Sequence, residues 1–109
     1  MDKMQTLEAL SALSQETRLD AFRLLVQIGP GGLPAGEIGE RLGVKQNTMS
    51  ANLSVLAQAG LIRGEREGRS IRYAADMEGL KGLLGFLMEN CCGAPELCQP
   101  VIARLTCGC

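Results

Sequence analysis

The sequence contains no histidine and no tryptophan, and only 3% of its 109 residues are aromatic. Without an imidazole, a thiol or hydroxyl nucleophile has no histidine base to activate it, which argues against a thiol enzyme. The shortage of aromatics leaves the core to Leu, Ile, Val, Met and Ala, in a chain that is 46% hydrophobic. No apolar run approaches the ~20 residues of a membrane-spanning helix, so no membrane role is expected. The opening residues, Met1-Asp2-Lys3-Met4-Gln5, lack the basic region and apolar stretch of a secretion signal. The expected location is the cytoplasm, where thiols stay reduced. A chain of 109 residues makes one domain with a modest core.

Cysteine is plentiful by contrast. There are five, an odd number that argues against a fully paired disulfide framework. Three of them, Cys91, Cys92 and Cys98, fall in the run Asn90-Cys91-Cys92-Gly93-Ala94-Pro95-Glu96-Leu97-Cys98. Neighbouring cysteines make a strained disulfide but a good pair of soft ligands. Gly93 can end a helix in the left-handed conformation and Pro95 cannot continue one, so Cys98 is expected to fold back over the pair. Sulfur-only ligation suits thiophilic ions far better than hard cations. Cys107 and Cys109, at the chain end, are a possible accessory set. The bland reading is that these cysteines are small buried hydrophobes. The adjacent pair and the returning thiol favour a ligand site over residues 91–109, following a folded unit over residues 1–90.

The net charge is −1, but its distribution is uneven. Residues 1–40 carry −3 and residues 73–109 carry −2. Between them, residues 41–72 carry +4 from Arg41, Lys45, Arg63, Arg66, Arg69 and Arg72 against Glu65 and Glu67. A polyanion would dock on that central block.

Periodicity places a helix over Met4 to Leu13, with Met4, Leu7, Leu10 and Leu13 on one face. Ser14 is the expected cap of a second helix that runs to Ile28, with Leu19, Phe22, Leu25, Val26 and Ile28 facing inward. Gly29-Pro30-Gly31-Gly32 ends it. A short helix over Ala35 to Leu42, a Gly43-Val44 turn and a helix over Gln46 to Ala59 make a helix-turn-helix. Met49, Leu53, Leu56 and Ala57 form the apolar edge of that last helix. Its opposite face is polar, small and free of acidic groups. Leu61 to Arg66 and Ser70 to Ala74 read as two strands joined by Glu67-Gly68-Arg69. A final helix runs from Met77 to Asn90, with Leu80, Leu83, Leu84, Leu87 and Met88 as an apolar stripe. The expected class is mainly α, a winged helix-turn-helix of five helices with a two-stranded hairpin. The leucine faces of the first and last helices predict a homodimer, which suits the reading of two half-sites.

Gln46, Asn47, Ser50, Ala51 and Ser54 have residue types suited to base edges and phosphates of double-stranded operator DNA. Lys45, Arg66, Arg69 and Arg72 would add phosphate or minor-groove contacts. The run from Val44 to Ile62 resembles the recognition-helix signature of the ArsR/SmtB family of metal-responsive repressors. Leu13-Ser14-Gln15-Glu16-Thr17-Arg18-Leu19 resembles that family's opening of its second helix, and Glu67-Gly68-Arg69 with Tyr73 resembles its wing. The resemblance spans residues 5 to 90. It implies a homodimeric winged helix that holds operator DNA when ion-free and releases it on ion binding.

Two positions depart from the family. Many members carry histidine where Asn52 stands, and Asn52 keeps the capacity to donate and accept in a contact there. The helix before the turn, Glu37-Ile38-Gly39-Glu40-Arg41-Leu42, lacks the thiols of the best-known arsenic-sensing members. With no histidine in the chain, the zinc-sensing set is also missing. The resemblance then points to the subset of arsenic-responsive members whose site is C-terminal. Trivalent arsenic takes three thiolates in a pyramid, so Cys91, Cys92 and Cys98 would bind arsenite or antimonite as inducer. A thiol redox switch, or a response to cadmium, lead or zinc, is the alternative.

Overall fold

A computed structural model describes residues 1–88 of the chain. The cysteine-rich segment over residues 91–109, with all five cysteines, lies outside the described residues.

Helix α1 covers Lys3–Leu13 and starts one residue before the apolar pattern does. Asp2 explains the earlier start. Its carboxylate accepts from the Gln5 amide at 2.8 Å while the Gln5 side chain accepts from the Asp2 amide at 2.9 Å, a reciprocal capping box. The buried face of α1 is Thr6, Ala9 and Ala12, whereas Met4, Leu7 and Leu10 are exposed. The expected leucine face is therefore turned away from the protomer core. Small residues let the α1 backbone approach its neighbours closely, and the leucines take the opposite side.

Helix α2 covers Glu16–Ile28. Its cap is Gln15, whose side chain accepts from the Arg18 amide at 2.8 Å, rather than Ser14. The Ser14 hydroxyl already donates to the Ser11 carbonyl at 2.7 Å, closing α1. Ala21, Phe22 and Leu25 are buried, while Leu19, Val26 and Ile28 stay partly exposed. A two-residue strand β1, Leu33–Pro34, leads into helix α3, Ala35–Leu42, then helix α4, Gln46–Gln58. Strands β2, Ile62–Glu67, and β3, Ser70–Ala75, form the hairpin, and helix α5 covers Met77–Leu87.

The sheet has three strands, ordered β1-β3-β2 and antiparallel throughout, not two as expected. Leu33 pairs with Tyr73 and Pro34 with Arg72. A strand of two residues has no alternation for a sequence to display, and a proline is tolerated because β1 lies at the sheet edge. Leu25, Ile38, Met49, Leu53, Leu56 and Leu61 are fully buried and fill the space between α2, α3, α4 and the sheet. No helix of the described residues is long and apolar enough to cross a membrane.

Gly32 decides how the α2–β1 connection meets the wing. It has φ 67°, and an added Cβ would collide with the Tyr73 carbonyl oxygen on β3. Neighbouring Gly31 has open space around the Cβ position. Gly32→Ala is therefore expected to cost about 2 kcal/mol or more in a urea melt, whereas Gly31→Ala should stay within about 0.5 kcal/mol of the parent.

Candidate nucleic-acid interface

Helix α3 stops at Gly43, which adopts the left-handed conformation with φ 67°. The Val44 amide then donates to the Gly39 carbonyl at 3.0 Å, so the turn doubles back over the end of α3. Gly39 is buried, and a Cβ there would sit 3.1 Å from the Val44 carbonyl oxygen and 3.2 Å from Oε1 of Gln46. The missing side chain lets α4 begin hard against α3. Ile38 anchors the pair from below.

Helix α4 starts after Lys45 with no side-chain cap and no acidic residue in its first turn. The Thr48 amide donates to Oδ1 of Asn47 at 2.9 Å, while the amides of Gln46 and Asn47 and the positive end of the dipole stay available to an anion such as phosphate. Lys45, Gln46, Asn47, Ser50, Ala51 and Ser54 are all exposed, on the side opposite buried Met49, Leu53 and Leu56. Nε2 of Gln46 lies 3.5 Å from the Ser50 hydroxyl, a contact too long to hold either side chain tightly. The face thus offers flexible donors and acceptors, without a carboxylate to repel DNA.

Asn52 lies elsewhere. It is buried, and its Oδ1 accepts from Nη1 of Arg18 on α2 at 3.1 Å. The hydrogen-bonding capacity expected of Asn52 is used inside the protomer, where the side chain faces the interior. The signal was present in the spacing, since Asn52 follows Met49 by three residues and precedes Leu56 by four, on the apolar edge.

The wing arginines divide into two kinds. Arg66 and Arg69 are exposed at the hairpin tip, where Arg66 pairs with Ile71 across the ladder and Gly68 turns with φ 62°. Among the described residues neither makes an ion pair within 4.0 Å. Arg72 is engaged inside the chain. Its Nε donates to Glu67 at 3.0 Å, and its Nη1 donates to the carbonyls of Gly31 and Gly32 at 3.3 and 3.2 Å. This guanidinium fastens the wing to the α2–β1 connection, leaving one terminal nitrogen for an outside partner. Arg63 is loosely placed, 4.0 Å from Asp76 with a largely exposed side chain.

A second surface is apolar. Met4, Leu7 and Leu10 on α1 and Met77 and Leu87 on α5 are exposed, and the two helices touch. Leu83 is buried in the protomer's own core, so the expected α5 stripe splits between inside and outside. The sequence-predicted ligands Cys91, Cys92, Cys98, Cys107 and Cys109 lie outside the described residues. Among the described residues, no group of three or more His, Cys, Asp or Glu could hold a metal ion.

Comparison with known proteins agrees with this geometry. The Helix-turn-helix domain family matches residues 13–65, from the end of α1 to the middle of β2. The HTH-type transcriptional regulator NmtR of Mycobacterium tuberculosis is 39% identical over 70 residues, covering 64% of this chain but only 56% of NmtR. The chain thus spans little more than half of that relative. The HTH-type transcriptional regulator CmtR of Mycobacterium bovis is 34% identical over 93 residues, covering 85% of this chain and 75% of CmtR. A solution structure from Mycobacterium bovis, a homodimeric winged helix-turn-helix DNA-binding domain of a possible ArsR-family regulator, superposes with a TM-score of 0.62. It is 29% identical and covers 79% of this chain and 80% of its own.

The two kinds of wing arginine should separate in stability. Arg72→Ala removes three hydrogen bonds at a half-exposed site and is expected to cost about 1 kcal/mol in chemical denaturation. Arg69→Ala, at the free tip, should remain within about 0.5 kcal/mol of the parent.

Proposed function

The chain belongs to the ArsR-like family of helix-turn-helix transcriptional regulators, and from that membership we propose that it is an operator-binding repressor released by trivalent arsenic. It is a DNA-binding regulator and not an enzyme. The observation that carries the DNA reading is the acid-free, exposed face of α4 opposite its buried edge. Gln46, Asn47, Ser50, Ala51 and Ser54 enter the major groove, with Gln46 and Asn47 as the groups able to bond adenine bidentately. Lys45, Arg66 and Arg69 neutralise phosphates, and Arg72 adds its remaining nitrogen at the edge of the wing. The active unit is a homodimer joined through the exposed leucines of α1 and α5, so two recognition helices address two half-sites.

The inducer reading rests on the donor set. Five cysteines and no histidine make thiolates the leading soft ligands. Cys91, Cys92 and Cys98 match the three thiolates that trivalent arsenic or antimony takes, with Cys107 and Cys109 as an accessory pair. The first of these thiols comes four residues after α5 ends at Leu87. A methylated trivalent arsenical has two exchangeable positions and needs two thiols. The ion acts by binding the DNA-incompetent dimer more tightly, a coupling typically of ~1–3 kcal/mol.

Arg69→Ala is expected to weaken binding to every duplex and to flatten the salt dependence by about one unit of slope, measured by fluorescence anisotropy. A base-reading Arg69 would instead affect only some sequences.

The decisive experiment titrates reduced protein on DNA with arsenite, antimonite, cadmium and zinc. Cys98→Ser is expected to bind DNA as the parent does and to stay bound when arsenite is added. Cys107→Ser and Cys109→Ser should respond nearly as the parent does. Release of Cys98→Ser by arsenite at parental concentrations would sink the site assignment. Release of the parent by oxidant but not by arsenite would replace it with a thiol redox switch.

A further inference from the structure

Arg18 is not part of the exposed DNA face, yet it is tied to the recognition helix. It sits in the first turn of α2, half-buried. Its Nε donates to the Ala12 carbonyl at 2.8 Å, and its Nη1 donates to Oδ1 of Asn52 at 3.1 Å. Ala12 lies in the last turn of α1, where a helix leaves its carbonyls without intrahelical partners. Asn52 lies midway along α4 and is one of two buried polar side chains among the described residues. One planar guanidinium therefore bridges the end of α1 and the middle of α4. Its donors have a fixed relative direction, so the bridge constrains the angle between the two helices as well as their distance.

The apolar contacts around it cannot set that angle so sharply. Met49, Leu53 and Leu56 hold α4 in the core, but hydrophobic burial is non-directional and tolerates small rotations about the helix axis. A buried amide loses free energy when its partner moves away, so rotation of α4 is opposed at Asn52. The exposed groups at Ser50 and Ser54 lie two residues to either side of it and turn with it.

We propose that Arg18 is a positioning residue for DNA recognition, fixing the orientation of α4 relative to α1 through Ala12 and Asn52. This rests on the reading of α4 as the recognition helix and of α1 as part of the dimer interface. The bridge links the surface that sets half-site spacing to the surface that reads sequence. Loss of the bridge blurs specific recognition while leaving electrostatic attraction to DNA in place.

The test uses the full-length reduced protein and a duplex enriched by in vitro selection with the parent, set against poly(dI-dC). Arg18→Lys, which keeps the charge but not the fork, is expected to weaken the selected duplex about tenfold and poly(dI-dC) less than twofold. Asn52→Leu, which removes the acceptor at similar volume, should do the same. The double variant should be no weaker than the worse single one, because both break one bridge. Asn52→Asp keeps the acceptor and should stay within threefold of the parent. Should Asn52→Leu fail to fold in a thermal melt, Asn52→Ser, too short to reach the guanidinium, takes its place. Equal weakening on both DNAs, multiplying losses in the double variant, or unchanged binding by Arg18→Lys would each overturn the proposal. A parent that enriches no sequence would overturn the DNA reading itself, and this proposal with it.

Discussion

The burial of one edge of α4 is the constraint on which the rest depends. Met49, Leu53 and Leu56 are fully enclosed, and each contributes on the order of 2 kcal/mol by leaving water. Their spacing of four and three residues makes a single narrow stripe, so the opposite side of the helix has no choice but to face outward. Gln46, Asn47, Ser50, Ala51 and Ser54 are exposed for that reason. The small residues that surround the helix serve the same end. Gly39 brings α3 close enough for the turn at Val44, and Ile38 closes the space beneath it.

The far end of α4 is fixed by backbone rather than by side chains. Gly60 takes φ 81°, and the Leu61 amide returns to the Leu56 carbonyl at 3.1 Å. Helix α5 is seated on this corner. The Asp76 amide donates to the Leu61 carbonyl at 2.8 Å, Asp76 caps α5 through the Gly79 amide, and a Cβ on Gly79 would collide with the Gly60 carbonyl oxygen. There is no soft side chain between the two helices at this point. A displacement of the start of α5 is therefore felt at the end of α4. The proposed inducer site follows the other end of α5, so its effect would reach this corner along the length of that helix.

Legibility in the sequence followed the strength of each local signal. Helices α3 and α4 and the hairpin were readable to within a residue or two, because glycines at 43, 60 and 68 mark their ends and apolar spacing marks their inner faces. The inner face of α1 was misread because its leucines, spaced three residues apart, outweighed Thr6, Ala9 and Ala12 in hydropathy, while close packing selected the smaller residues. Strand β1 was missed because two residues carry no period. At the candidate interface, the exposure of Gln46, Asn47, Ser50, Ala51, Ser54 and the tip arginines was legible as a charge and polarity pattern. The roles of Arg72 and Arg18 were not, because each depends on partners about 40 and 34 positions away that no local pattern reveals.

The leucines of α1 make sense only at the level of assembly. A lone protomer gains nothing from holding Met4, Leu7 and Leu10 in water while Ala9 and Ala12 occupy its core. The arrangement becomes favourable if that face is covered by a second copy, since the small residues bring α1 close to α2 and α4 and leave the large ones to a partner. Leu83 faces the core while Leu87, four residues on, is exposed. Helix α5 thus reaches the core at its middle, through Leu83, and is exposed at both ends, at Met77 and Leu87. Its last turn is the described element nearest in sequence to the thiols, so under the proposed function it is where a bound ion would act first.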